Sequence, residues 1–105
     1  MPGEIVVLIT APSRQEARTI SRRLVGEKLA ACVNIVPRVE SVFFWEGRIR
    51  AARECLLVVK TRGALFNRLA ARVRTLHSYT VPEIIALPVR RGSKDYLQWV
   101  RKSTR

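Results

Sequence analysis

The chain has few of the side chains that build metal centres and disulfide frameworks, with two cysteines and one histidine among 105 residues. The cysteines, Cys32 and Cys55, lie in separate strand-like apolar segments and form no CxxC pair. Neither a disulfide framework nor a local four-ligand zinc site is therefore expected. We predict that both thiols are reduced, buried and inert.

Long hydrophobic runs are also missing. The longest uncharged apolar segments, such as Cys55–Val59, are far too short to span a bilayer. The stretch Met1–Glu4 has no basic region followed by an apolar core and a cleavage site, so we expect no secretory signal and predict a cytoplasmic protein. A chain of 105 residues is predicted to form a single domain over 1–105, with a core that needs no metal or disulfide.

Acidic residues are scarce: eight face twenty basic ones, and the formal net charge is +12. One interpretation is a solvated, arginine-biased surface, because no basic run exceeds two residues, as in Arg22-Arg23. The other is a surface that binds a polyanion. Arg14, Arg18 and Arg22 fall at i, i+4 and i+8 on the outer face of the first predicted helix, where an anion would relieve their mutual repulsion.

The first half of the chain predicts a strand, a helix and a long hairpin. Glu4–Thr10 is a β-branched apolar run, and Ser13 with Glu16 forms a capping box that begins the helix. Strand patterns follow over 32–36 and 39–45, with an irregularity expected at Pro37. A tight turn then leads into a return strand over 48–61. In that strand Glu54 and Lys60 share a face, which predicts an ion pair.

A domain of this size cannot cover both faces of a hairpin with arms of about fourteen residues, since strands usually have roughly five or six. Phe43, Phe44 and Trp45 stand at its tip. We therefore predict that these three residues lie at an interface with other copies of the chain.

The second half completes a βαββαβ order. A helix is predicted over 63–76, a strand over 84–89, and a short terminal helix capped by Ser93. This order is the α+β, ferredoxin-like arrangement. RNA recognition motifs share it but carry stacked aromatics on the third strand, and 48–61 contains none, so nucleic-acid recognition of that type is not expected.

The segment after the second helix gathers the candidate functional residues. His77, Tyr79 and Glu83 fall within seven residues. His77 at the end of a helix either caps the last carbonyls or ligates a metal, and both alternatives stay open. A polar pocket with aromatic walls is predicted at a subunit boundary, formed by Trp45, Lys60, Tyr79, Glu83 and Trp99.

Motifs along the whole chain resemble the CutA1 family of divalent-cation tolerance proteins. The motifs are Ala30-Ala31-Cys32-Val33-Asn34-Ile35, Pro37, Ser41, Trp45-Glu46-Gly47, Ile49, Glu54, Lys60-Thr61, His77-x-Tyr79, Pro82-Glu83-Ile84, Pro88, Gly92 and Tyr96-Leu97-x-Trp99. The resemblance implies a very stable cytoplasmic homotrimer of ferredoxin-like subunits, similar in shape to the PII signalling proteins. It also implies tolerance to copper and other divalent cations, with copper binding in some members and no established enzymatic activity.

Two positions depart from that family pattern. The usual His-Pro-Tyr is His77-Ser78-Tyr79, so we expect a more mobile loop. Ile9 stands where some members carry a metal-linked cysteine, which leaves His77, with Glu83 as a second ligand, for a weak copper or other divalent-cation site. Cys32, which stands in one of the motifs above, is also predicted to line the pocket. The alternative functions are binding of a small anionic effector near Lys60, Tyr79 and Glu83, as in a PII-like signalling protein, and polyanion binding through the helix arginines.

Overall fold

A computed structural model describes residues 3–105 as a four-stranded antiparallel sheet with helices, in the strand order β2-β3-β1-β4. Met1 and Pro2, which belong to the stretch predicted to lack a secretory signal, lie outside the described residues. The elements are β1 (Glu4–Ala11), α1 (Arg14–Gly26), β2 (Cys32–Trp45), β3 (Arg48–Arg62), a 3₁₀ turn (Gly63–Leu65), α2 (Phe66–Leu76), β4 (Ile84–Pro88) and α3 (Lys94–Lys102). The predicted α+β fold with βαββαβ order and a terminal helix is confirmed.

The core lies between one face of the sheet and the two longer helices. Ile5, Val7 and Ile9 alternate along β1 and are buried, as the period of two along a strand requires. Leu24 of α1 and Leu69 of α2 are fully buried against them. Each such side chain contributes about 1.5–3 kcal/mol through its removal from water.

The other face of the sheet is largely apolar and only partly covered. Leu8 of β1 pairs with Ile85 of β4, and Val36 of β2 pairs with Leu56 of β3, so all four point away from α1 and α2. Ile85 is 52% exposed and Val36 is 42% exposed. The sequence pattern did not reveal this surface, because α3 has to be placed before the uncovered part is known.

The hairpin of β2 and β3 extends beyond the rest of the sheet. β1 ends at the pair Ala11 and Cys55, and from there to Trp45 and Arg48 the two hairpin strands pair only with each other. The chain turns at Glu46 and Gly47, whose φ values of 51° and 82° are those of a type I′ turn. The described chain therefore measures 44 Å along one axis and 25 and 23 Å along the others.

Pro37 interrupts the ladder at the predicted place. The register shifts between Val36 and Val39, and Arg38 there has a φ of 61°. A bulge is the expected response to a residue without an N–H inside a strand. No described helix is long and apolar enough to cross a membrane.

The predicted capping box at the start of α1 is only half formed. The Ser13 hydroxyl accepts a hydrogen bond from the Glu16 N–H at 3.1 Å, as predicted. The Glu16 carboxylate, however, accepts its hydrogen bonds from Ser78, far along the chain. The interpretation of Glu16 as a local cap was wrong in this part, because the carboxylate has a tertiary partner.

Candidate functional site

The segment between α2 and β4 is fixed by His77, whose ring is fully buried. Its Nε2 lies 2.7 Å from the Thr10 carbonyl oxygen, and its Nδ1 accepts the Tyr79 N–H at 3.0 Å. A carbonyl can only accept, so these two bonds require the tautomer that carries hydrogen on Nε2. The His77 ring therefore joins this segment to β1 and does not cap the carbonyls of α2.

Ser78 is held by the carboxylate of Glu16 in α1. Glu16 Oε2 accepts the Ser78 N–H at 2.9 Å and the Ser78 hydroxyl at 3.1 Å, and it lies 3.3 Å from His77 Nδ1. A proline at position 78 has neither donor. A proline at position 78 would restrict the backbone through its ring, whereas Ser78 is held by two hydrogen bonds to Glu16. The expectation of a more mobile loop did not include these two bonds.

Tyr79 joins the segment to the hairpin. Its hydroxyl donates to Glu54 Oε2 at 2.6 Å, and its ring lies 4.8 Å from the His77 ring between centroids. Burial raises the pKa of Tyr79 to about 12, and the hydrogen bond to Glu54 and the charges of Glu54 and Glu16 act in the same direction. Tyr79 is therefore a protonated donor throughout the physiological range.

A cleft of about 660 Å³ separates this segment from the hairpin. It contains three of the residues predicted for the binding pocket, Trp45, Tyr79 and Glu83. It also contains Arg50 and Glu54, which the pattern analysis did not assign to it. Arg50 pairs with Phe43 in the ladder, two positions from Trp45, and this pairing of β2 and β3 places both residues beside the loop.

The other predicted pocket residues lie elsewhere in the chain. Cys32 pairs with Lys60 in the ladder, and the Lys60 amine and the Cys32 thiol both donate to Asn34. Lys60 lines a separate cavity of about 200 Å³ together with Tyr96. The predicted pocket residues therefore lie in two separate places within one chain. That both groups form a single pocket in an assembly of several chains stays a prediction.

This second group lies beside α3. The rings of Tyr96 and Trp99 are 5.5 Å apart between centroids, and Trp99 is 44% exposed. Burial raises the pKa of Tyr96, and contact with Cys32 adds to the effect. The ion pair predicted between Glu54 and Lys60 is wrong, because Glu54 bonds Tyr79 and Lys60 bonds Asn34.

The metal ligands proposed from the sequence do not form a dense cluster within one chain. Among residues 3–105, no group of three or more His, Cys, Asp or Glu side chains comes together. His77 has partners at both ring nitrogens, while Glu83 is exposed at the edge of the cleft. Ile9 is fully buried against the helices, so a sulfur at that position would lie in the core. The pair of His77 and Glu83 stays a prediction.

The two longer helices carry seven of the twenty basic residues. Arg14, Arg18 and Arg22 are exposed, and none of them takes part in an ion pair of the described chain. Glu27 accepts from both Arg23 and Arg72, and the hydrogen bond from Arg72 is the largest cause that lowers the pKa of Glu27. The first helix thus keeps an uncompensated arginine stripe, and its polyanion partner stays a prediction.

Comparison with known proteins gives matches over nearly the whole chain. The model of the CutA1 divalent ion tolerance protein family matches residues 5–103. The divalent-cation tolerance protein CutA of Thermus thermophilus is 54% identical over 101 residues, which are 96% of this chain and 98% of that protein. A solved structure of the Thermus protein superposes with a TM-score of 0.95 at 53% identity, covering 96% of this chain and 98% of that one.

Two further relatives carry a location in their names. The structure titled periplasmic divalent cation tolerance protein CutA, from Archaeoglobus fulgidus, has a TM-score of 0.93 and 47% identity, covering 95% of this chain and 97% of that one. The chloroplastic CutA 1 of Oryza sativa is 46% identical over 101 residues, which are 96% of this chain but 57% of that protein. The chain thus spans nearly all of some relatives and little more than half of others.

Proposed function

The chain belongs to the CutA1 divalent ion tolerance family, and from that membership we propose that it acts in the tolerance of divalent cations. In this proposal it is a non-enzymatic homotrimer that binds copper or another divalent cation weakly. The observation that carries the proposal is the similarity over nearly the full length to proteins named for divalent-cation tolerance. Those names describe no catalysis.

His77 supports the metal part of the proposal through its Nδ1 atom. A cation that binds there must replace the Tyr79 N–H, because Nε2 is committed to the Thr10 carbonyl. Glu16 Oε2, 3.3 Å away, is a carboxylate oxygen that such a cation would meet in the same place. Imidazole with carboxylate favours Cu(II) among the first-row divalent ions on affinity. The need to break an existing hydrogen bond is consistent with weak binding.

Calorimetric titration with Cu(II) tests this site. We expect His77→Ala to lose most of the heat of binding and Glu83→Gln to weaken binding. Glu40→Gln, an exposed carboxylate on β2, should bind as the wild type does. Since His77 is buried and its loss could unfold the segment, the exposed Glu83 variant keeps the test independent of folding. Identical isotherms for all four proteins would rule out a site at His77 and Glu83.

The homotrimer is supported by two apolar surfaces that one chain leaves open. At the hairpin tip, Phe44 is 71% exposed, and Phe43 and Trp45 are 40% and 47% exposed. The uncovered sheet face adds Ile85 and Val36. Exposed apolar area of this extent is typical of an interface. A closed ring of copies would cover both surfaces and the free edges of β2 and β4.

Sedimentation equilibrium tests the assembly. We expect a mass three times the 12.0 kDa of one chain. Phe44→Ser should shift the population towards monomer, whereas Val25→Ser, an exposed apolar residue on α1, should leave the mass unchanged. A monomeric wild type at high protein concentration would refute the proposal.

The cytoplasmic location and the anionic effector also remain proposals. Fractionation of the source cells tests the location, and recovery in another compartment would refute it. For the effector, Lys60 lies apart from Tyr79 and Glu83 within one chain, so a common site requires an assembled cleft. An unchanged melting temperature across nucleotides and organic anions would count against that alternative.

A further inference from the structure

The two longer helices, α1 and α2, form a basic layer on one side of the sheet. They carry seven basic residues and a single acidic one, Glu16. The Glu16 carboxylate is committed to Ser78, and Glu27, which follows α1, accepts hydrogen bonds from Arg23 and Arg72. The carboxylates of this layer are therefore already in use, and they leave the other arginines of the two helices without a counter-charge.

Five arginines of the layer are exposed and take part in no ion pair of residues 3–105, namely Arg14, Arg18, Arg22, Arg68 and Arg74. The first three stand at i, i+4 and i+8, so they share one face of α1 and span about 12 Å along it. Like charges at this spacing repel one another. A row of phosphates beside this face would replace that repulsion by attraction.

This face stays accessible in the homotrimer proposed above. Both helices pack on the side of the sheet where Val7 and Ile9 are buried. The surfaces proposed to meet between copies are the opposite side of the sheet, with Ile85, and the hairpin tip, with Phe44. The arginine row on the outer side of α1 therefore lies away from both proposed contacts, and the trimer would present it three times.

The residues of the layer favour duplex nucleic acid over other polyanions. Arginine binds phosphate through paired N–H donors, and a duplex carries one charge for about every 1.7 Å of its axis. A single strand is held by stacking of its bases on aromatic rings, but no exposed residue of α1 or α2 is aromatic. A membrane-binding helix needs large apolar side chains on its outer face, and α1 exposes only Val25.

We propose that the outer face of α1 binds the phosphate backbone of duplex nucleic acid, with Arg14, Arg18 and Arg22 as its phosphate contacts. Contacts to phosphates carry no sequence information, so binding is independent of base sequence. The net charge of +12 attracts the duplex to the protein as a whole, and the unneutralised row on α1 decides which face meets it. This inference uses the helices and not the sheet, and it does not depend on cation binding at His77.

Fluorescence anisotropy with a labelled DNA duplex, measured on the full chain with a chelator at several salt concentrations, tests the inference. The variant carries Arg14→Gln, Arg18→Gln and Arg22→Gln together, and glutamine keeps the helix propensity of arginine. The slope of log K against log salt should become less steep by about 2.7, since each phosphate contact contributes about 0.9. At low salt the affinity should fall by about tenfold or more.

Removal of three cations elsewhere separates this face from the net charge. Arg90, Arg91 and Lys94 are exposed and lie before and at the start of α3. Arg90→Gln, Arg91→Gln and Lys94→Gln together lower the net charge by the same amount and should weaken binding by less than about threefold. Lysine in place of the three arginines of α1 should keep the salt slope, because the charge of each side chain is kept.

Four results would overturn the inference. Equal weakening by the two triple glutamine variants would mean that net charge alone binds the duplex. A single strand of the same length that binds as tightly as the duplex would show that the face does not select a duplex. Stronger binding to phosphatidylserine vesicles than to the duplex would assign the face to a membrane surface. Absence of duplex binding at about 50 mM salt, where phosphate contacts are strong, would refute it directly.

Discussion

Replacement of Glu16 by alanine should release the 77–83 segment from the first helix. In the wild type one carboxylate oxygen accepts two hydrogen bonds from Ser78, at 2.9 Å from the N–H and 3.1 Å from the hydroxyl. Alanine removes this acceptor, and with it both hydrogen bonds, and leaves the His77 bond to Thr10 in place. The change therefore tests the Glu16 contact separately from the burial of the histidine ring.

The expected magnitude follows from the exposure of the partners. Hydrogen bonds to a charged group contribute about 1.5–3 kcal/mol when they are shielded from water. Ser78 is exposed and the Glu16 side chain keeps 19% of its surface exposed, so a lower value of about 1 kcal/mol for each bond applies. The local opening free energy should fall by about 2 kcal/mol, which corresponds to about 30-fold faster amide exchange at Ser78.

Hydrogen exchange followed by NMR measures this directly. The Ser78 amide should exchange about 30-fold faster in Glu16→Ala, and Glu16→Gln should give an intermediate rate because a neutral oxygen still accepts. The core amide of Val59 should be unaffected by either change, and Glu40→Ala should behave as the wild type. An acceleration below about threefold at Ser78 would refute the conclusion that Glu16 anchors the segment.

Three further outcomes are expected. Tyr79 ionises at about 12 in the folded chain and near 10 when unfolded. Stability should therefore fall as pH rises from 10 to about 12, and it should fall more in the wild type than in Tyr79→Phe, as denaturant midpoints across that range will measure. The variant keeps the smaller loss that comes from Tyr96, whose pKa is also raised by burial. Thr61→Val should lower the free energy of unfolding by about 1–3 kcal/mol, because the buried Thr61 hydroxyl donates to the Leu29 carbonyl at 2.6 Å. Gly47→Ala should cost about 1 kcal/mol in the same denaturation assay, since the φ of Gly47 is 82° and its surroundings are open.

Matched variants control these outcomes. Glu54→Gln should lower the pKa of Tyr79 only part of the way towards 10, because burial is the largest cause of the shift; a complete return to 10 would contradict that cause. Thr80→Val, in an exposed threonine, should leave stability unchanged. Gly26→Ala should be neutral or stabilising, because Gly26 has no positive φ and open space around it. If Gly26→Ala and Gly47→Ala lower the free energy of unfolding equally, the positive φ of Gly47 is not the cause of the loss.

Most of the fold could be predicted because its causes are local. The alternation of Ile5, Val7 and Ile9 predicts a strand whose inner face is buried, and that face is buried. The Glu46-Gly47 pair predicts the turn, and both residues have the positive φ that a type I′ turn needs. The third strand is predicted to end at position 61 and ends at Arg62.

The site could be predicted only in part. Trp45, Tyr79 and Glu83 were recognised as pocket residues by their types and do line one cleft. Lys60 was grouped with them, but the ladder pairs it with Cys32 on another part of the sheet. Neither residue type nor spacing gives the partner of a polar side chain when that partner is distant along the chain.

Sequence alone determined the order of the elements and the turn, because periodicity, capping and turn chemistry depend on neighbouring residues. The family resemblance was carried by motifs along the chain. Tertiary structure alone decided which polar groups meet. His77 contacts Thr10 across 67 positions of the chain, and Ser78 contacts Glu16 across 62. The packing of α1 and α2 on one face of the sheet brings these groups together. As a result, His77, which the sequence offers as a candidate metal ligand, is buried and hydrogen-bonds β1 to the segment that lines the cleft.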